Sequence, residues 1–192
     1  MRYGFIGCGN MGSAIARALS KSTNNIMITD RSGKAMSVAA EYGWTYTDAQ
    51  TIVQSCERIF LGVKPQMMAD LIAEIAPTLK ARTDRFILVT MAAGIKIAKF
   101  NDMLNAKMPI IRIMPNTPVM VGEGMILYSP CKAITDEEIA EFNEILEFSG
   151  RLDRLEEELI DAGCVVSGCG PAFVYMFAES MAKAGSEFGL DN

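Results

Sequence analysis

The sequence has no histidine. That absence removes the Ser-His-Asp and Cys-His arrangements of nucleophilic catalysis and argues against a zinc site. Any proton transfer falls to a carboxylate, Lys, Tyr, Cys or water. Of the five cysteines (Cys8, Cys56, Cys131, Cys164 and Cys169) none forms a C-x-x-C pair, and the odd count suits reduced thiols. A basic stripe is also missing. The 18 Lys and Arg are scattered against 23 Asp and Glu, for a net charge of −5, which predicts no nucleic-acid partner. No apolar run reaches transmembrane length, so no membrane span is expected. Met1-Arg2-Tyr3 leads straight into an apolar strand, which predicts no signal peptide and a cytoplasmic location. There is no internal repeat or low-complexity stretch. What remains is 192 residues, half of them hydrophobic, with a mean hydropathy of +0.19. This is one large domain, or one domain plus a fragment of another, with a substantial core. The 14 methionines read most simply as core filler.

The organising stretch is the first thirty residues. Arg2–Ile6 reads as a strand, Gly7-Cys8-Gly9-Asn10-Met11-Gly12 as a turn, Met11–Ser20 as a helix, and Ile26–Thr29 as a second strand ending at Asp30. That context makes G-x-G-x-x-G a dinucleotide fingerprint. Gly7 allows the tight turn, Gly9 lets a pyrophosphate approach the backbone, and Gly12 lets the helix pack against the sheet. The diphosphate would then meet unpaired N–H groups at the helix N-terminus. Asp30 could accept from both ribose hydroxyls, which favours NAD(H). Arg31, with Ser32 and Lys34 beside it, is suited to a 2′-phosphate, which favours NADP(H). We expect NADP(H), with NAD(H) as the alternative. As a solvated start to the next helix, Arg31 and Lys34 would say nothing about the cofactor.

The pattern continues as alternating strands and helices. Helix Lys34–Tyr42 leads to a short strand at Trp44–Tyr46, and Thr47 or Asp48 caps a helix through Ser55. Arg58–Val63 is a strand apolar enough to be buried on both faces. It ends in Lys64-Pro65-Gln66, and Met67–Ile75 is helical, stopping near Pro77. Strand Phe86–Thr90 ends in Met91-Ala92-Ala93-Gly94, and a helix spans Ile95–Leu104. Ile110–Ile113 is a strand ending in Met114-Pro115-Asn116-Thr117-Pro118, and Glu123–Tyr128 continues the sheet. In an open α/β sheet the ligand lies beyond the carboxyl ends of the strands. Gly7–Gly12, Asp30-Arg31, Val63-Lys64-Pro65, Ala92-Ala93 and Asn116 should therefore share one edge. Lys64 could equally be a solvated loop lysine. The small residues at Ala92-Ala93-Gly94 could admit a flat ring or simply pack tightly.

Thr135-Asp136-Glu137-Glu138 is a capping box opening a helix with Ile139, Phe142 and Ile145 on one face and acids on the other. Gly150 ends it, and Arg151–Leu155 is a last strand. Glu156-Glu157-Glu158 favours a helix first turn. Ser167-Gly168-Cys169-Gly170 then precedes Pro171, an ideal first helical residue. This reads as a second glycine-rich loop and a second anion or carboxylate site at a helix N-terminus, or else as a hinge between two helices. Helix Ala172–Phe188 is apolar nearly all round and should be buried, which predicts self-association.

Phe5-Ile6-Gly7-Cys8-Gly9-Asn10-Met11-Gly12-Ser13-Ala14-Ile15, Val63-Lys64-Pro65-Gln66, Ala92-Ala93-Gly94, Arg112-Ile113-Met114-Pro115-Asn116-Thr117-Pro118 and Ser167-Gly168-Cys169-Gly170-Pro171-Ala172 together resemble the pyrroline-5-carboxylate reductases. The resemblance spans the chain, and its last two blocks are far more specific than the glycine turn. It implies reduction of 1-pyrroline-5-carboxylate to L-proline by NAD(P)H. It also implies an α/β Rossmann-like, doubly wound, mostly parallel sheet over residues 1–154, and the start of an all-α dimerisation and substrate domain over residues 155–192. Carried over by position, cofactor contacts fall on Gly7, Cys8, Gly9, Asn10, Met11, Gly12, Asp30, Arg31, Ser32, Val63, Lys64, Pro65, Ala92, Ala93 and Asn116. Glu157, Ser167, Gly168 and Gly170 fall on the substrate side, with no metal and no assigned catalytic residue. Where the family usually offers an Asn to the adenosine, this chain has Asp48-Ala49. Relatives continue with further helices, so a cofactor-binding module lacking a complete substrate site is the alternative expectation.

Overall fold

The computed structural model describes residues 1–191. The strands are β1 (Tyr3–Ile6), β2 (Ile26–Thr29), β3 (Thr45–Tyr46), β4 (Arg58–Leu61), β5 (Ile87–Thr90), β6 (Ile110–Pro115), β7 (Gly124–Pro130) and β8 (Gly150–Arg154). They form one sheet in the order β3-β2-β1-β4-β5-β6-β7-β8. Only the β6–β7 pairing is antiparallel. The strand order reverses between β1 and β4, the doubly wound switch point at which such sheets bind ligands.

Helices cover both faces, which is why the central strands read as unbroken apolar runs. Phe5, Ile28, Phe60, Val89 and Ile111 pack with the helices α1 (Asn10–Leu19), α2 (Lys34–Tyr42) and α6 (Asp136–Ile145). Ile6, Ile59, Leu61 and Leu88 pack against α3 (Ala49–Ser55), α4 (Met68–Ala81) and α5 (Ile97–Leu104). Caps fall where the side chains call for them. Asp48 accepts from the Thr51 N–H at 2.7 Å and from its hydroxyl at 3.0 Å, opening α3. Those two bonds, the backbone one first, hold the Asp48 carboxyl below its usual range. Thr135 and Glu138 form the expected capping box of α6.

Two expectations are corrected. The helix expected to stop near Pro77 runs on to Ala81. A proline forfeits its N–H and crowds the preceding turn. Here Gln50 of α3 donates to the Glu74 carbonyl at 2.9 Å and accepts from the Thr78 hydroxyl at 2.6 Å, bracketing the proline from outside. Leu71, Ile72, Ile75 and Leu79 bury the helix across that point. Secondly, α7 (Glu157–Gly163) and α8 (Gly170–Glu187) join through a π-helical stretch, Cys164–Cys169. The resulting helix, Glu157–Glu187, is long and apolar enough by length and composition to cross a membrane. Within the single chain α8 is exposed, as expected of a helix left for a second copy to cover. Phe173 and Phe177 are 67% and 68% exposed, and Tyr175, Met176 and Met181 are exposed with them.

The crossover from β1 to α1 is a tight point of the sheet edge. Gly7 has φ +92°, open to glycine and strained for other residues, and a Cβ there would lie 2.5 Å from the Val63 nitrogen. A Cβ at Gly12 would press into the Gly7 carbonyl oxygen, inside the 3.0 Å that real Cβ contacts keep. At Gly62 it would come within 2.5 Å of the same oxygen. Around Gly9 nothing lies within 4 Å of the added carbon. Gly12→Ala is therefore expected to destabilise the chain by about 2 kcal/mol or more, because rigid backbone must give way. Gly9→Ala should cost about 1 kcal/mol or less, the difference between a good and a poor N-cap. Urea unfolding midpoints check the contrast, and equal losses at the two positions would contradict it.

Candidate functional site

A cleft of about 410 Å³ opens at the carboxyl ends of β1, β2 and β4. Its floor is Gly7, Gly9 and Gly62. Gly9 is the N-cap of α1 and supplies no side chain, and no side-chain cap closes that helix end. The first turn of α1 therefore has no side-chain cap, and nothing lies within 4 Å of a Cβ added at Gly9, an anion cradle in form. The Cys8 side chain turns the other way, into the core. Burial, and then the nearby Asp30 charge, push its thiol up to about 12, so it stays protonated.

Along one wall stand Thr29, Asp30, Arg31 and Ser32, and along the other Val63, Lys64, Met67, Leu71 and Glu74. Asp48 and Ala49 close the far end. Sequence reading named neither Thr29 nor Gly62, nor the three α4-side residues as cleft wall. Their signal was the i, i+4, i+7 spacing of Met67, Leu71 and Glu74, which places them on one helical face. The structure thus gathers Gly7, Gly9, Asp30, Arg31, Ser32, Val63 and Lys64 into one cleft. Asn10, Met11 and Gly12 follow in the first turn of α1, and Pro65 begins the short 3₁₀ turn after Lys64. Ala92 is buried and Ala93 exposed beyond the end of β5, with the Ala92 N–H donated to the Thr90 hydroxyl at 3.3 Å.

The substrate-side expectations meet a different geometry. Ser167, Gly168 and Gly170 do not form a loop with an open helix end, because α7 continues through them into α8. The expectation of a second anion site at a free helix N-terminus is therefore overturned. Pro171 cannot donate an N–H to the Ser167 carbonyl, its i−4 partner. Asn116 takes over, its Nδ2 donating to that carbonyl at 2.9 Å while its Oδ1 accepts from the Met125 N–H at 2.8 Å. Asn116 is buried, and its amide is engaged on both sides by the protein itself. The Met-Pro-Asn-Thr-Pro and Ser-Gly-Cys-Gly-Pro-Ala blocks are thus two halves of one junction.

Glu157 sits in the first turn of α7. Its Oε1 accepts the Ile97 N–H at 2.6 Å, closing the start of α5, and lies 3.7 Å from Nη1 of Arg112. Arg112, on β6, is fully buried and pairs through Nη2 with Asp161. Its Nε and Nη1 have no hydrogen-bond partner among the described residues. This ionic node, with the small apolar cluster of Met114, Leu127 and Ile160, anchors α7 to the sheet. Among the described residues no group of His, Cys, Asp and Glu could hold a metal ion.

Comparison with known proteins bears on this arrangement. Residues 2–94 match a family described as NADP oxidoreductase, coenzyme F420-dependent, and residues 157–192 match the pyrroline-5-carboxylate reductase dimerisation family. The chain is 32% identical to the pyrroline-5-carboxylate reductase of Corynebacterium melassecola, over 96% of this chain and 70% of that one. It is 34% identical to that of Escherichia coli K12, over 95% of this chain and 69% of that one. The crystal structure of the Plasmodium falciparum enzyme, with NADP bound, superposes with a TM-score of 0.87 at 30% identity, covering 100% of this chain and 71% of that one. Likeness at this level, across both the nucleotide fold and the helical segment, makes the chain a member of the pyrroline-5-carboxylate reductase family.

Proposed function

We propose that this chain reduces 1-pyrroline-5-carboxylate to L-proline, the last step of proline biosynthesis, using NADPH in preference to NADH. The observation that carries this reading is the open cradle at the start of α1, in a chain that matches these reductases from its first strand to its last helix. The fit to a dinucleotide is physical. The cleft leaves clear the one fingerprint glycine whose added Cβ would meet no protein atom.

The N–H groups at the start of α1 would hold the diphosphate, and Arg31 and Lys34, at the 30–34 corner, the 2′-phosphate. Val63, Lys64 and Pro65, with Ala92 and Ala93, would flank the nicotinamide. When bound, the cofactor supplies a hydride to the C=N carbon of the cyclic imine. A protonated imine is already electrophilic, so the protein need only position it and exclude water, which suits a chain without histidine. Arg112, Glu157 and Asp161 hold the α7 segment over the sheet, and Asn116 fixes where α8 begins. We read residues 1–154 as the nucleotide unit and residues 155–192 as part of the dimerisation and substrate unit. We further place the protein in the cytoplasm, whose reducing conditions suit its five free cysteines.

The test is NADPH absorbance followed in the presence of 1-pyrroline-5-carboxylate. Imine-dependent NADPH loss with matching proline formation is the expected result. Tight NADPH binding without imine consumption would leave a cofactor-binding module and contradict the proposal. Gly9→Ala should weaken NADPH binding about tenfold or more, because its methyl group would occupy the diphosphate's approach.

We also propose that the chain self-associates through α8. The large exposed aromatics of that helix are more apolar surface than a monomer leaves wet, and a partner helix from a second copy would cover them. Light scattering should give a mass at least double the 20.9 kDa of one chain. A monodisperse monomer would contradict this.

A further inference from the structure

The corner after β2 contains both an acid and bases, and the structure divides their roles. Asp30 lies where a nucleotide-binding carboxylate would reach for ribose hydroxyls. Here both of its oxygens serve the next turn. Oδ1 accepts the Ser32 N–H at 3.1 Å, and Oδ2 accepts the Ser32 hydroxyl at 3.0 Å. The Ser32 oxygen in turn accepts from the Lys34 N–H at 3.4 Å. Gly33, at φ +73°, then turns the chain into α2. A chain of hydrogen bonds therefore runs from Asp30 through Ser32 to the first residue of the helix. Ser32 donates its hydroxyl hydrogen to Asp30, so it has none left for a ligand.

The bases are left uncommitted. Arg31 and Lys34 are exposed and enter no ion pair among the described residues. Arg31 lines the cleft beside Asp30 and Ser32. A guanidinium on a braced turn suits a phosphate dianion, to which it can donate two parallel hydrogen bonds.

We propose that Asp30 is a positioning residue for NADPH selectivity: it braces the 30–34 turn through Ser32 so that Arg31 and Lys34 meet the 2′-phosphate, and it is not a ribose ligand. The inference rests on the NADP(H) reading above and makes a prediction opposite in sign to the ribose-ligand role. A ribose-binding acid repels the 2′-phosphate, so its removal should favour NADPH. A bracing acid, once removed, lets the bases drift, so its removal should harm NADPH and spare NADH.

The experiment is a fluorescence titration of the full 192-residue chain with NADPH and with NADH, using the wild type, Asp30→Ala, Asp30→Asn and Ser32→Ala. The wild type should bind NADPH more tightly than NADH. Asp30→Ala should weaken NADPH about fivefold or more and change NADH by less than about twofold, as expected for loss of hydrogen bonds to a charged group that acts only through the turn. Asp30→Asn, which can still accept the Ser32 N–H, should recover most of the NADPH affinity. Ser32→Ala, which keeps that N–H but loses the hydroxyl link, should fall between. Unchanged NADH binding certifies that each variant is folded. Tighter NADPH with weaker NADH in Asp30→Ala, or an unchanged ratio, would overturn the inference while leaving the NADP(H) reading intact. A wild type that binds NADH at least as tightly as NADPH would overturn that reading itself.

Discussion

The structure depends on how closely two backbone segments crowd the carbonyl of Gly7. Gly12 of α1 and Gly62 after β4 both abut that one oxygen, closer than any side chain would permit. This contact sets α1 against the sheet at the switch point and leaves the helix start pointing at empty space beyond Gly9. The glycines of one motif thus act in two ways. Gly7 and Gly12 are required by the protein's own backbone. Gly9 is required only by what is to bind, because an added carbon there meets no protein atom.

A second junction sits at the other end of the same sheet edge. Pro171 removes a helical donor, and Asn116, 55 positions earlier by its number, restores a partner to the Ser167 carbonyl. Arg112, Glu157 and Asp161 pin the same helix from below. A fully buried guanidinium is costly unless its donors are engaged. Arg112 meets this by pairing with Asp161 and lying 3.7 Å from Glu157. The cofactor cleft and the helical segment are therefore tied to one sheet through backbone contacts and buried polar links, with only a small apolar cluster between them.

Much of this was legible in the sequence. Ile26–Thr29 and Lys34–Tyr42 were readable to the residue because turn-formers bound them tightly, Thr135 announced its helix by the side chain that caps it, and of the two candidate caps Thr47 and Asp48 the structure uses Asp48. The failures share one cause, which is that a distant residue cancels a local signal. Pro77 reads as a stop until Gln50, from another helix, brackets it. Ser167-Gly168-Cys169-Gly170 reads as a loop until Asn116 repairs the bond Pro171 breaks. The exposure of α8 within one chain accords with the self-association that its all-round apolar pattern predicts. Within the site, Arg31 and Lys34 were visible as candidates, but the engagement of Asp30 by Ser32 was not, because spacing does not say which way a carboxylate turns.

The most direct test of the account is a crystal structure of this chain with NADP⁺. The account places the diphosphate on the first N–H groups of α1 above Gly9, and the 2′-phosphate within hydrogen-bonding reach of Arg31, with Asp30 still bonded to Ser32. A diphosphate bound elsewhere on the sheet edge, or an Asp30 carboxylate rotated onto the ribose, would contradict it.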